Sequence, residues 1–368
     1  MNEYADAGVD PGKIDPFKRV MRAMGERTLK FPLARDVLVE SSEHGTVWEY
    51  IGNLPHAWSG TQEGLGNKNW IAEWMYQNFG NGRTYYEGIG IDAAMMAVND
   101  LIAQGAMPVV YMDEVAAGDS EWFADEKRSK ALAQSYYRAC EMARMALPAG
   151  ESPSLRYLIK AEQPVKSAPS LSGCAVGIIV PKGLKITGEE LCVGDIILGA
   201  PSSGAHANGY SLIIKRGLEL RDQFLTKLPN GNTLGAEALI PTRCYVGLVE
   251  ALLKGDVNIH AFLPGTGDGV AKLTFDKRPF TYVINDWVDV PPIFQFMREL
   301  GVSLSDCLTT FNWGIGYYVF VPRSEVEGAI TISRNAGCPL MEIGIVKSGD
   351  RKVVFGPDGG IELLPKAG

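Results

Sequence analysis

One helix-length stretch with acids set among apolar residues constrains this chain most. Residues 89–106 read IGIDAAMMAVNDLIAQGA. Ala, Met and Leu favour helix, and Gly105 supplies a stop. The following PVVYMDEVAA is β-branched and aromatic after a proline, which predicts a strand. Within the predicted helix, Asp92 and Asn99 lie two turns apart on one face, with Asp100 near it. Asp113 stands at the end of the strand. Oxygen-bearing side chains in such company are costly to bury without a partner. A hard cation bridging phosphate oxygens would satisfy them. Helix capping or plain exposure would do so as well.

The rest of the chain mixes helices and strands. Apolar positions Ile14, Phe17, Val20, Met21 and Met24 predict a helix over 13–30, and residues 124–147 read as another. CAVGIIVPKG is a buried strand ending at Pro181. After a composition shift come an apolar strand in GDIILGAPSSG and helices over 208–224 and 241–254. TYVINDW and WGIGYYVFVP read as strands, and PPIFQFMREL as a helix with proline in its first turn. SEVEGAITISRNAG reads as a helix with Ser324 as cap and Glu327 three residues on. MEIGIVKSG and KVVFG are expected to form a closing pair of strands. Regular βαβ alternation is missing, so the predicted fold class is α+β, with domains over 1–182 and 183–368.

Composition narrows the function classes. A chain of 368 residues with 46% hydrophobic and 21% charged residues has the profile of a soluble globular protein. Its net charge of -8 and the absence of a long Lys/Arg run disfavour nucleic-acid and membrane-surface binding. The N-terminal residues MNEYADAGVD have neither a basic segment nor an apolar core, so no signal peptide is expected there. No apolar run approaches the roughly 20 residues of a membrane span. The six cysteines form no C-x-x-C and none adjoins a histidine. That spacing argues against zinc and against a disulfide framework, and favours reduced thiols in the cytoplasm.

Four further stretches could carry chemistry. The first, Ala57 to Asn69 (AWSGTQEGLGNKN), reads as a glycine-rich loop at 60–68 closed by Lys68. Gly60, Gly64 and Gly66 would let backbone N–H groups face an anion, with Lys68 as a point charge. A flexible loop with a solvated lysine fits the spacing too. The second, PSSGAHANGYSL at 201–212, sets His206 and Asn208 in a strand-to-helix loop. Ser203 or Asn208 as a helix cap is the alternative. The third, Gly265-Thr266-Gly267-Asp268-Gly269, opens a predicted helix and suits an anion, or is a tight turn capped by threonine. The fourth, Phe311-Asn312-Trp313-Gly314-Ile315-Gly316, predicts a bulge within a strand. No nucleophile motif is present, and His44, His56 and His260 read as incidental.

In order and wording these stretches resemble the aminoimidazole ribonucleotide synthetase (phosphoribosylformylglycinamidine cyclo-ligase) family. The resemblance runs from YADAGVD at 4–10 through IGIDAAMMAVNDLIAQGAMPVVYMD, GAPSSGAHANGYSLIIKR, PTRCYV and FNWGIG to MEIGIVK at 341–347. It implies two α/β domains, the N-terminal sheet pairing with a second subunit to make a homodimer. It also implies ATP and Mg2+ in a cleft, and ATP-dependent closure of formylglycinamidine ribonucleotide to aminoimidazole ribonucleotide, with release of ADP and phosphate. Carried over by position, Gly60, Thr61, Gly64, Gly66, Lys68, Asp92, Asn99 and Asp113 resemble the nucleotide site. Glu63, Asp100 and Glu162 resemble metal ligands. Ser203, His206, Asn208, Gly265 and Gly267 resemble the substrate side, and Lys68, Asp100 and His206 the residues active in catalysis.

The ligand stretches depart from the family pattern. One residue is inserted before Lys68, and Gln62-Glu63 stands for a single aspartate. Lys160-Ala161-Glu162-Gln163 replaces a Gly-Gly-Glu-Thr stretch. Pro264 to Gly269 replaces a segment that carries histidine. These departures leave open an ATP-dependent relative with another substrate, or a non-catalytic nucleotide-binding paralogue.

Overall fold

A computed structural model describes residues 3–42 and 45–365. The chain divides into two units, one of residues 1–101 and 106–182, the other of 102–105 and 183–368. His44 lies outside the described residues.

The first unit begins with α1 (Glu3–Asp6) and α2 (Pro11–Glu26). Proline in the first turn and the Asp10 carboxylate, which accepts from the Gly12 N–H, start α2. Ile14, Phe17 and Met21 form its buried stripe. Then come β1 (Val37–Ser42), β2 (Gly45–Tyr50), β3 (Ala57–Gly64), α3 (Lys68–Asn78), α4 (Ile89–Ile102) and β4 (Met107–Ala116). The unit closes with α5 (Glu126–Ala143), β5 (Ala146–Glu151) and β6 (Ser170–Ile179). Asp125 caps α5 by accepting from the Arg128 N–H, and Arg144 ends it with a left-handed φ of 53°. The chain therefore enters β5 inside the helix predicted over 124–147.

The sheet of this unit has the order β3-β6-β4-β5, antiparallel except for β4 beside β5. Hairpin β1-β2 covers part of one face, packing Val37 and Val39 on Val109, Val110, Ala146 and Ile178. Helices α4 and α5 cover the other. Thr61 of β3 bonds the Ala97 carbonyl of α4, and Tyr111 of β4 lies 6.1 Å from Tyr136 of α5.

The second unit runs β7 (Ile196–Pro201), α6 (Tyr210–Leu218), α7 (Leu234–Ala238), α8 (Val246–Lys254), β8 (Ala261–Pro264), β9 (Phe280–Ile284), α9 (Pro292–Glu299) and α10 (Leu304–Thr310). It ends with β10 (Ile315–Val321), α11 (Val326–Asn335), β11 (Met341–Ser348), β12 (Lys352–Phe355) and β13 (Ile361–Leu363). Its sheet has the order β13-β12-β9-β11-β7-β10-β8. Every neighbour pair is antiparallel except β12 with β9. All residues of β10 are buried, as expected of a strand inside a wide sheet.

The mixed, mainly antiparallel sheets agree with the α+β class. Several local expectations are corrected. Strands β11 and β12 do not pair with each other, because β9 lies between them. Helix α8 starts at Val246 rather than near Pro241. A 3-10 turn over Arg323–Glu325 precedes α11, which has no side-chain cap, so the Ser324/Glu327 box does not form. Among the described residues, no helix is long and apolar enough to cross a membrane.

Candidate functional site

The predicted loop at 60–68 is mostly strand. Gly60, Thr61, Glu63 and Gly64 belong to β3, paired residue by residue with Val176 down to Ser172 of β6. Thr61 and Glu63 are half-buried on the helix-covered side, while Gly60 and Gly64 are exposed. Gly66 remains in the short turn before α3.

Lys68 opens α3, and its side chain is fully buried. Its Nζ donates to Asp92 Oδ1 on α4 at 2.8 Å. Burial pushes the ammonium below the usual lysine range, while Asp92 opposes that shift. The partner supplied to this buried acid is thus a lysine, where the sequence suggested a cation. The start of α3 is held from outside by the 152–169 segment. Asn69 Nδ2 donates to the Pro169 carbonyl at 2.6 Å, and Trp70 Nε1 to the Glu162 carbonyl at 2.8 Å. Asn67 makes no side-chain cap; the Lys68 N–H donates to the Gly66 carbonyl at 2.9 Å and the Trp70 N–H to the Asn67 carbonyl at 3.1 Å.

The metal-ligand candidates come from three places in the chain, Glu63 on β3, Asp100 on α4 and Glu162 between β5 and β6. Leu101 packs where a Cβ on Gly177 would sit, opposite Ser59, and Ala97 accepts from Thr61. Helix α4 therefore runs opposite to β3, bringing its Asp92 end towards Glu63 and Lys68. Asp100 is eight residues beyond Asp92, about 12 Å along the helix axis. Glu63 and Glu162 border the entry to α3, and Asp100 stands at the far end of α4. Asn99 is buried on α4 near that far end.

Asp113 is placed apart as well. It lines a cavity of about 770 Å³ with Lys18 and Arg22 of α2, Ser41 of β1 and Glu151 of β5. A Cβ on Gly150 would lie 2.2 Å from Asp113 Oδ1, so this carboxyl rests on bare glycine backbone. Burial, with a smaller contribution from Glu151, lifts Asp113 to about 7.

In the second unit the three predicted stretches converge. Asn312 ties two of them: its Nδ2 donates to the Gly204 carbonyl at 2.8 Å, and its Oδ1 accepts from Ser202 Oγ and the Gly314 N–H. A Cβ on Gly265 would strike Ile315 O at 2.4 Å, and one on Gly267 would lie 3.9 Å from Asn208 Oδ1. His206, Asp268 and Trp313, one in each stretch, all adopt positive φ. Such clustering of unfavourable backbone marks a site whose surroundings hold it in place. The register slips between Ile315 and Tyr317, so the bulge expected at Gly316 is present.

His206 is buried at 3% exposure, and its Nε2 accepts from the Ser203 N–H at 3.2 Å. The Ser203 hydroxyl donates to the Pro241 carbonyl. Neither Ser203 nor Asn208 caps α6, whose N-cap is Gly209. The Gly265–Gly269 stretch leads into a 3-10 helix, Gly269–Phe275, rather than an α-helix, and Thr266 accepts from Lys272. Tyr245 was not among the residues singled out for chemistry, and Asn312 was named only as part of a bulge. The signal for Asn312 was its place beside the paired glycines of FNWGIG.

Two domain descriptions match this architecture. Residues 75–179 match the AIR synthase related protein N-terminal domain, and 193–356 match the corresponding C-terminal domain. The chain belongs to the AIR synthase related family. A phosphoribosylformylglycinamidine cyclo-ligase of Alkaliphilus oremlandii is 33% identical over 365 residues, covering 96% of this chain and 99% of its own. One from Pyrococcus horikoshii is 32% identical, covering 90% and 91%. Among solved structures, E. coli HypE, a hydrogenase maturation protein, superposes with a TM-score of 0.58 at 16% identity, covering 95% and 98%. Thiamine-monophosphate kinase of Stenotrophomonas maltophilia gives 0.57 at 17%, covering 88% and 93%. At these identities the likeness to the solved structures is one of fold.

The AIR synthase-type C-terminal unit gives a direct test of loop convergence. A Cβ on Gly316 would meet the Tyr245 hydroxyl at 2.0 Å and His206 Cε1 at 2.4 Å. Gly316→Ala is expected to destabilise the protein by about 1–3 kcal/mol through overpacking. Chemical denaturation measures this, and an unchanged midpoint would show that the two rings are free to withdraw.

Proposed function

We propose that this chain is an ATP-dependent cyclo-ligase that closes formylglycinamidine ribonucleotide to aminoimidazole ribonucleotide, releasing ADP and phosphate. The observation that carries this reading is the match, over nearly the whole length of both chains, to cyclo-ligases 30–33% identical. The reaction asks for phosphate charge to be offset and for reacting atoms to be positioned, more than for a protein nucleophile. The residues suit that division. The turn at Gly66, leading from β3 into α3, would lie against the phosphates. Lys68 acts at one remove: its pair with Asp92 fixes α3 against α4. In the second unit Asn312 and His206 hold the 203–208 stretch in shape, presenting Asn208 next to Gly267 for a polar substrate.

Magnesium, when bound, would neutralise charge on the phosphates. Its usual donors are one or two carboxylates plus phosphate oxygens, and Glu63 and Glu162 at the entry to α3 are of that kind. A homodimer is part of the same reading. It is supported by the outer side of the β3 edge of the first sheet, where Trp58 stays 38% exposed beside Gly60 and Gln62. The free thiols of all six cysteines suit a cytoplasmic location.

Purified protein given formylglycinamidine ribonucleotide, ATP and Mg2+ is expected to release ADP and form aminoimidazole ribonucleotide, and its gene to rescue a purine auxotroph lacking this step. Nucleotide binding without ADP release on this substrate would overturn the assignment. The altered stretch Lys160 to Gln163 favours one second reading, the same chemistry on another amide. ADP release with a different substrate and none with this one would select it.

A further inference from the structure

Three ligating side chains meet in the second unit, none of them among the nucleotide, metal or substrate candidates above. Strands β7 and β8 flank β10 and both run antiparallel to it. Their entering ends therefore lie at the same end of the sheet. Asp195 immediately precedes β7 and His260 immediately precedes β8. The His260 N–H donates to the Phe320 carbonyl of β10, which fixes the histidine at that end. Cys192 closes a turn onto Asp195: the Asp195 N–H donates to the Cys192 carbonyl, and the Cys192 N–H donates to Asp195 Oδ2 at 2.8 Å.

The side chains converge on one point. His260 Nδ1 lies 2.9 and 2.8 Å from the two Asp195 oxygens. Cys192 Sγ lies 3.5 Å from Asp195 Oδ1 and 4.0 Å from His260 Nδ1. A nucleophilic triad would place the carboxylate on one ring nitrogen and the thiol on the other. Here both face Nδ1, and Nε2 turns to the Asn258 amide at 3.2 Å. Around a tetrahedral ion with metal–sulfur of about 2.3 Å and metal–nitrogen or –oxygen of about 2.0–2.1 Å, ligand atoms stand about 3.3–3.6 Å apart. The observed separations lie within about half an ångström of that, so small side-chain adjustments would admit the ion. Thiolate and imidazole donors select zinc over magnesium. Outer partners are in place too, with the Cys192 N–H on the carboxylate and Asn258 on the distal ring nitrogen.

We propose that Cys192, Asp195 and His260 form a zinc site, with the exposed Cys192 side leaving a fourth position to water. The ion would clamp the approaches to β7 and β8, strands that do not touch each other in the sheet. It is a second metal site, separate from the magnesium reading and independent of it.

The test uses the full chain, stripped with a chelator and desalted. Zn2+ is titrated against a chromophoric competitor, and Co2+ serves as a spectroscopic substitute. One equivalent of Zn2+ is expected to bind and to raise the thermal midpoint. Co2+ should give a thiolate charge-transfer band. Cys192→Ser should abolish the band, and Cys192→Ser and His260→Gln should each weaken Zn2+ binding by about tenfold or more. Cys174→Ser, in the other unit, should leave both readouts unchanged. Midpoints measured without metal establish that the variants fold. Wild-type binding no tighter than that of a Cys192→Ser/His260→Gln variant, or a cobalt band that survives Cys192→Ser, would overturn the site.

Discussion

Lys68→Ala is expected to lower the unfolding free energy by about 3–5 kcal/mol, the loss typical when one member of a buried ion pair is removed. Both side chains of the Lys68–Asp92 pair are fully buried. The alanine variant would leave a carboxylate in the interior without its ammonium. Replacing both partners with apolar residues of similar volume, Lys68→Met with Asp92→Leu, should recover most of the loss, because an apolar pair needs no desolvation. Urea denaturation of the two single variants and the double variant measures the coupling. A small stability change in Lys68→Ala with a large fall in turnover would instead mean that the ammonium leaves Asp92 to meet substrate. The two outcomes separate a residue that positions helices from one that contacts phosphate.

Asp113→Asn is expected to change how stability depends on pH. Below pH 3.8 the folded and unfolded chains both hold the Asp113 proton, and the group contributes nothing. Between 3.8 and about 7 the unfolded chain has released the proton while the folded chain keeps it. Stability therefore falls as pH rises through this window, and the loss is complete above it. The gap corresponds to at most about 4 kcal/mol. Asp113 borders the cavity between α2 and β5, and access of solvent to it would reduce the penalty. A gain of about 1–3 kcal/mol for Asp113→Asn at about pH 8, shrinking towards pH 4, is the expected result. Denaturation curves at both pH values decide it, and a pH-independent difference would mean that Asp113 is ionised in the folded protein. The raised carboxyl also makes Asp113 a proton holder near neutral pH, which a plain nucleotide contact would not need.

How legible the fold was depended on the element. Helix α4 and strand β4 could be read directly, because apolar periodicity and a glycine stop acted together. Strand β3 could not. It is an edge strand whose outward positions are Trp58, Gly60, Gln62 and Gly64, so it shows no clean apolar alternation, and its glycines read as a loop. Strands β11 and β12 were recognisable as strands, but their pairing was not, since β9 inserts between them from some 60 residues earlier in the chain. At the site, the conformation of Gly316 was legible because a bulge has a local glycine signature. The surroundings of His206 were not: a histidine in a polar loop reads as exposed, and only the structure shows it buried, with Nε2 accepting from the Ser203 N–H.

By itself the sequence determined most of the helical and extended segments, though not β3 or β5, together with the mixed class and membership in a family of cyclo-ligase relatives. All of these rest on patterns within a few turns of chain or on ordered motifs. The tertiary structure alone decided which polar groups meet. Lys68 finds Asp92 across 24 residues, His260 finds Asp195 across 65 and Cys192 across 68, and Ser202 finds Asn312 across 110. The absence of a local Cys–His pattern argued against zinc, yet the sheet carries Cys192 and His260 to the same end of the two strands that flank β10. A buried charge or ligand requires a partner but does not specify where along the chain that partner lies. Only closure of the sheets brings the two together.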